Sequence, residues 1–193
     1  VVVVGQNLPQ SASPAPDCLY APPASHGFTA FARNVIYTDN AGQQRVVEVL
    51  MRLPMGAPLP MPVVVWSHGG ATGKRDPATS MAEWSELSAR AGYFSISIAH
   101  TPREPASRSA LCLSIGMDTA ACAQFAHLNW DRPHDIRVVL DEVHRLAAAE
   151  LRGRIDVNKI AVGGHSAGSG GAQTVAGAKR NFTLPPVGLS DPR

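Results

Sequence analysis

The chain has 193 residues, of which 45% are hydrophobic and 17% charged, with a formal net charge of +2. That composition supports a buried core in one domain and excludes a disordered chain. Lys and Arg form no long run, which argues against a nucleic-acid surface, and no apolar run is long enough to cross a bilayer.

Residues 1–27 read as an extended leader, because Gln6 to Ser25 is rich in Pro, Ser and Ala. Val1 to Val4 is too short for the apolar core of a signal peptide. Phe28 to Asp39 and Arg45 to Leu53 read as two strands, with Asn40-Ala41-Gly42 as the turn of an antiparallel hairpin. A proline-rich connection, Pro54 to Pro62, leads into Val63 to Ser67, a short run apolar on both faces, as in a central parallel strand. Ser80 and Glu83 have the spacing of a capping box. The helix they open runs to about Ala91, with Met81, Trp84, Leu87 and Ala91 on one face and Gly92 as its stop. Tyr93 to Ala99 is the next buried strand. His100 to Leu128 is long for a connection, a length usually tied to binding or lid roles.

A further helix begins at Asp131 or Arg132 and turns Ile136, Val139, Leu140, Val143 and Leu146 toward the sheet. Arg132 and Asp135 are expected to form an ion pair at its start. The strand Lys159 to Gly163 follows, then Ala167 to Ala178, where Gly168, Gly170, Gly171 and Gly177 point to close backbone packing. Strand and helix alternate, so the fold class is α/β, with a mostly parallel sheet and flanking helices. Cys112 and Cys122 lie ten positions apart in the long connection and are expected to form a disulfide, which implies an oxidising compartment. Cys18 is left over. The expected location is secreted or periplasmic, with the cytoplasm as the alternative.

The chemistry concentrates in two places. Gly164-His165-Ser166-Ala167-Gly168 lies between the last strand and the Gly-rich helix. A serine at such a strand–turn–helix apex is the nucleophile of the elbow motif, and the turn is too tight for side chains beside it. Trp66-Ser67 runs straight into His68-Gly69-Gly70-Ala71, an H-G-G turn whose backbone N–H groups can complete an oxyanion hole. His68 and His165 read as supports for the two turns. His100, at the carboxyl end of a strand, reads as a residue of the substrate cleft. Asp131, His134 and Asp135 cluster at a helix start without a fourth ligand, so no metal site is expected. Asn181-Phe182-Thr183 matches a glycosylation acceptor, which matters only in a secreted eukaryotic protein.

Together, Trp66-Ser67-His68-Gly69-Gly70 and Gly164-His165-Ser166-Ala167-Gly168 resemble the dienelactone-hydrolase and platelet-activating-factor-acetylhydrolase branch of the α/β-hydrolases. Ala99-His100-Thr101-Pro102 and Arg132-Pro133-His134-Asp135-Ile136 add to the resemblance, which covers roughly residues 28 to 180. It implies a serine esterase or lipase-like enzyme that acts on small-molecule or lipid-like esters without metal or organic cofactor. Ser166 would be the nucleophile, and the N–H groups of Ala167 and Gly70, with Gly69 as the neighbouring alternative, would hold the oxyanion. Other readings are an acyltransferase or amidase on the same scaffold, or a non-catalytic binding protein with a hydrolase fold.

The family's catalytic acid and histidine follow the nucleophile. Here Ser166 stands 27 residues before Arg193, and Asp191 lies among prolines with no strand before it. Asp135 precedes the nucleophile, against the family's order. Residues 28–193 are therefore expected to be the N-terminal portion of a single α/β-hydrolase domain. A C-terminal polypeptide carrying the acid and the base is expected to complete it.

Overall fold

The computed structural model describes residues 25–70, 75–117, 122 and 126–179. Five strands form one sheet: β1 (Phe28–Thr38), β2 (Gln44–Pro54), β3 (Met61–Ser67), β4 (Phe94–Ala99) and β5 (Ile155–Gly164). Their order is β1-β2-β4-β3-β5. β1 pairs antiparallel with β2, from Phe28 opposite Pro54 to Thr38 opposite Gln44. β2 is antiparallel to β4, and β3 runs parallel to both β4 and β5. This is the expected α/β sheet, an antiparallel hairpin leading into a parallel core. The hairpin turn forms because the Asp39 carboxylate accepts the N–H groups of Ala41 and Gln43 at 2.9 and 2.8 Å, while Gly42 supplies a φ of +72°.

Helices α1 (Ala82–Arg90), α2 (Pro105–Ser114), α3 (Arg132–Ala148) and α4 (Ala167–Val175) connect or flank the strands. A π-helical turn, Ala126–Asp131, leads into α3. No described helix is long and apolar enough to cross a membrane. Side chains alternate across a strand, and here the alternation sorts the sheet into two unlike faces. Val47, Val49 and Met51 of β2, Met61, Val63 and Val65 of β3, and Phe94, Ile96 and Ile98 of β4 form one core with Ile136, Val139, Val143 and Leu146 of α3. The α3 stripe is the one its helical spacing predicts, with Leu140 only partly buried.

The opposite face is polar at its centre. Arg52 of β2 donates to Ser97 of β4 and to Ser85 of α1 at 3.1 and 2.9 Å, and Ser85 also bonds Ser95 at 2.9 Å. α1 therefore packs through Ser85 and Ala89, and the expected apolar face is turned outward: Trp84 is 53% exposed and Leu87 62%. A leucine over Arg52 would leave a buried guanidinium without its hydroxyl partners. Trp84 keeps only a flank contact with Trp66, its ring 5.7 Å away. The capping box does not form either, since the residue capping α1 is Met81, in a left-handed conformation, with no side-chain cap.

The long connection after β4 carries α2, which starts at Pro105, a residue suited to the first helical turn. Cys112 and Cys122 are bridged, as expected, inside a small cluster of Leu111, Met117 and Ala126. Reduction is expected to lower stability by roughly 2–3 kcal/mol through the freed loop. Thermal unfolding with and without dithiothreitol checks this, and an unchanged midpoint would refute it.

β5 begins at Ile155, earlier than expected, and lies at the sheet edge among the described residues, with Ile160 and Val162 half-buried. The leader up to residue 24, Cys18, Ala71, Asn181 and Asp191 lie outside the described residues.

Candidate functional site

The end of β5 shows why the G-x-S-x-G spacing is needed. Ser166 has φ 52° and ψ −119°, a backbone conformation that residues with a side chain rarely adopt. α4 starts at the next residue. The turn is closed by hydrogen bonds from Gly168 N–H to the His165 carbonyl at 2.9 Å and from Ser169 N–H to the Ser166 carbonyl at 3.0 Å. A Cβ on Gly164 would stand 2.5 Å from the backbone of Gly168, and one on Gly168 would stand 2.0 Å from the Ser67 carbonyl oxygen. Only glycine fits at either place. The outcome is an exposed serine at the apex. Ala167 follows as the first residue of α4, where the N–H has no intrahelical partner.

β3 delivers the second turn to the same place. His165 N–H donates to the Ser67 carbonyl at 3.1 Å, which ties the end of β5 to the end of β3. A Cβ on Gly69 would meet the His165 ring at 2.6 Å and Ser166 Cβ at 3.2 Å. The H-G-G turn therefore lies directly against the elbow, and Gly70 holds a φ of +92°. Gly69 is thus set against His165 and Ser166, with Ala167 following Ser166 and Gly70 following Gly69 along the chain.

His100 is placed differently. Its ring is fully buried on the α3 side, and both nitrogens are engaged: Nδ1 with the Asp135 carboxylate at 2.9 Å and Nε2 with the Ser67 hydroxyl at 2.8 Å. The expectation that His100 lines the cleft is corrected accordingly. Its backbone N–H donates to His68 Nε2 at 3.1 Å, so it supports the H-G-G turn from beneath. Ser67, His100 and Asp135 form a Ser–His–Asp chain of hydrogen bonds, but all three are 0% exposed, so no substrate reaches Ser67.

The expected Arg132–Asp135 pair is also corrected, because each partner is used elsewhere. Asp135 takes the Tyr37 hydroxyl at 2.9 Å as well as His100, with Arg45 at 3.6 Å. Arg132 reaches the carbonyls of His68 and Gly70. Arg45 was missed from the sequence and Arg132 was assigned the wrong partner, since nothing local shows which distant acceptor a long side chain will reach.

Burial sets the ionisation here. It pushes His68 down to about 4, pushes His127 of the π turn down to about 4, and holds His100 below its ordinary value against the pull of Asp135. Burial alone would raise the Asp135 carboxyl, yet the His100 hydrogen bond and Arg45 hold it below its ordinary value. The relay is therefore a carboxylate and a neutral imidazole, with Ser67 donating to Nε2. Neutral His68 has its proton on Nδ1, donating to the Gly69 carbonyl at 2.7 Å, because Nε2 already accepts.

A pH dependence follows. The unfolded chain protonates these histidines near pH 6.5, and the folded chain only at lower pH, near 4 for His68 and His127. Between those values the unfolded state binds more protons, so stability falls as pH drops from about 6.5 to about 4. Asp131, pushed up to about 6 by burial against Arg45 and Arg103, acts in the opposite sense over part of that window. Three imidazoles outweigh one carboxyl. The melting temperature is expected to decline between pH 6.5 and 4.5; a flat or rising profile would contradict the buried neutral histidines.

Comparisons with known proteins give a limited likeness. No protein-family model and no curated protein matches the chain. Among solved structures, a bacterial heroin esterase is 25% identical, over 74% of this chain and 37% of its own, with a TM-score of 0.47. The esterase LipW from Mycobacterium marinum is 26% identical, over 83% of this chain and 41% of its own, also with a TM-score of 0.47. The chain thus spans about two fifths of the length of these structures.

The chemistry open to the arrangement is acyl transfer. An exposed serine in a strained turn, with the glycine turn of β3 against it, offers the two kinds of group acyl transfer uses, a hydroxyl and backbone N–H donors.

Proposed function

We propose that the protein is a serine hydrolase of carboxylic esters, in which Ser166 forms an acyl-enzyme that water then releases. The observation that carries this reading is the contact between the two turns: Gly69 lies against Ser166 Cβ, and the glycines at 164 and 168 are sterically obligatory. A binding protein has no use for a strained serine held against a second amide-bearing turn.

In this reading the oxyanion is held by the N–H groups of Ala167 and Gly70, or of the adjacent Gly69. The helix dipole of α4 favours the same negative charge. The base and acid come from sequence outside the described residues, on a C-terminal segment that completes the site. His68 and His100 have both ring nitrogens engaged and are not available to Ser166. Small-molecule or lipid-like esters are the substrate class. The resemblance of both motifs to the dienelactone-hydrolase and platelet-activating-factor-acetylhydrolase branch supports that choice. The Cys112–Cys122 disulfide supports a secreted or periplasmic location.

Labelling of the intact protein with a fluorophosphonate, followed by peptide mapping, tests the reading. The adduct is expected on Ser166. Absence of an adduct, together with no turnover of p-nitrophenyl esters, would favour the non-catalytic binding protein.

A further inference from the structure

Each of the three consecutive carbonyls in the turn after β3 has a side-chain donor. The His68 carbonyl accepts from Arg132 Nη1, the Gly69 carbonyl from His68 Nδ1 at 2.7 Å, and the Gly70 carbonyl from Arg132 Nη2 at 2.5 Å. In a planar trans peptide the C=O and the following N–H point in opposite directions. A fixed His68 carbonyl therefore fixes the N–H of Gly69, and a fixed Gly69 carbonyl fixes the N–H of Gly70. The amides of Gly69, which lies against Ser166, and of Gly70 are thus held from behind, through their own peptide planes. Such a turn needs outside support, because two successive glycines have the widest backbone freedom of any residues, and an oxyanion hole works only through donors oriented in advance.

Arg132 is an unusual choice for a purely architectural role. It heads the largest fully buried side chains of the described residues, and burial pushes its guanidinium down to about 10. Its hydrogen bonds go to neutral carbonyls, while the carboxylate three residues on, Asp135, serves His100 and Tyr37. The planar guanidinium suits two acceptors at once, which an ammonium cannot match in fixed geometry. Its positive charge behind the His68 carbonyl also polarises that peptide and strengthens the Gly69 N–H at its far end. Arg132 Cβ lies 3.4 Å from the place a Cβ on Gly171 would occupy, so the same residue borders α4, the helix that follows the serine.

We propose that Arg132 is a positioning residue for the oxyanion turn: through the His68 carbonyl it directs the Gly69 N–H toward the reacting carbonyl, and its grip on the carbonyls either side of Gly69 holds the turn in which His68 directs the Gly70 N–H. The proposal rests on the serine-hydrolase reading.

Arg132→Lys in the full-length protein keeps the charge but not the two-carbonyl fork. With p-nitrophenyl acetate, kcat per titrated active site is expected to fall by about 10²-fold, the order seen when one oxyanion donor is lost. KM should stay within about threefold. A trifluoromethyl ketone, which presents an oxyanion to the site, should lose inhibitory affinity by the same factor as kcat/KM. A merely structural role would lower the fraction of titratable sites and leave both kcat per site and ketone affinity unchanged, and that result overturns the proposal.

Should Arg132→Lys not fold, a crystal structure of the phosphonylated parent decides. The phosphonyl oxygen is expected on the Gly69 or Gly70 N–H with Arg132 holding both carbonyls, and an Arg132 turned away from the turn overturns the proposal. A parent that neither turns over esters nor labels at Ser166 defeats the serine-hydrolase reading, and the proposal with it. An active parent with an indifferent Arg132→Lys defeats the proposal alone.

Discussion

Ser166→Ala is expected to reduce kcat for short p-nitrophenyl esters by roughly 10⁴–10⁶-fold while leaving the fold intact, the scale on which loss of a serine nucleophile is felt. The argument rests on position. Ser166 is exposed at the apex of the elbow, next to the amide-bearing turn of β3, whereas Ser67, the serine that does have a histidine partner, has no exposed surface. Ser67→Ala should accordingly leave chemistry far less affected, although it removes the hydrogen bond to His100. The strained φ of 52° adds a second readout. Ser166→Gly should also abolish turnover, yet raise stability by about 1 kcal/mol, because glycine relaxes a conformation that costs any other residue of the order of 1–3 kcal/mol. Activity of Ser166→Ala within tenfold of the parent would remove Ser166 from the mechanism.

The fold was legible wherever a pattern has a single physical reading. Val63 to Ser67 and Tyr93 to Ala99 are short and bounded by breakers, and the central strands Met61–Ser67 and Phe94–Ala99 form there. The α3 stripe has helical spacing and faces the core. The elbow was legible because its glycines are required by steric contacts that the motif encodes. α1 was misread because apolar spacing locates a face without telling what lies opposite. The sheet beneath it carries Arg52, Ser95 and Ser97, and those residues recruit Ser85 and Ala89 rather than Trp84 and Leu87. The alternation of polar residues in β2 and β4 was the available signal. α2 could have been found from Pro105 at a first helical turn.

The support of the site was illegible for a different reason. Arg132 meets carbonyls 62 and 64 positions earlier, and His100 meets Asp135, 35 positions later. No local pattern encodes which long-range acceptor a side chain will find. The short-range ion pair between Arg132 and Asp135 was the natural reading of the sequence, and the buried carbonyls and imidazole displaced it. Residues that touch substrate in the proposed mechanism were found by motif, as was His68 beside them, whereas the partners of Arg132, His100 and Asp135 were found only by geometry.

Gly168→Ala is expected to be among the most damaging single-methyl changes in the chain. A Cβ at this position would lie 2.0 Å from the Ser67 carbonyl oxygen, 2.5 Å from its carbon and 2.7 Å from the His68 carbonyl oxygen. All three are backbone atoms, so no side-chain rotation relieves the overlap. Relief requires β3 and α4 to separate, which breaks the His165 N–H bond to Ser67 and carries Gly69 away from Ser166. The cost is expected at roughly 3–5 kcal/mol, the range that marks a severe packing lesion. Activity should fall further than the loss of folded protein explains, because the two halves of the proposed oxyanion site are separated by the same movement. Gly153→Ala is the matched control. Its φ of +70° makes alanine strained, but no atom lies within 4 Å of the new Cβ, so the expected cost is only about 1 kcal/mol. Urea unfolding of the parent and both variants distinguishes steric from conformational cost. A Gly168→Ala protein within 1 kcal/mol of the parent would mean that the elbow does not pack against β3 as closely as described, and the proposed site would lose its foundation.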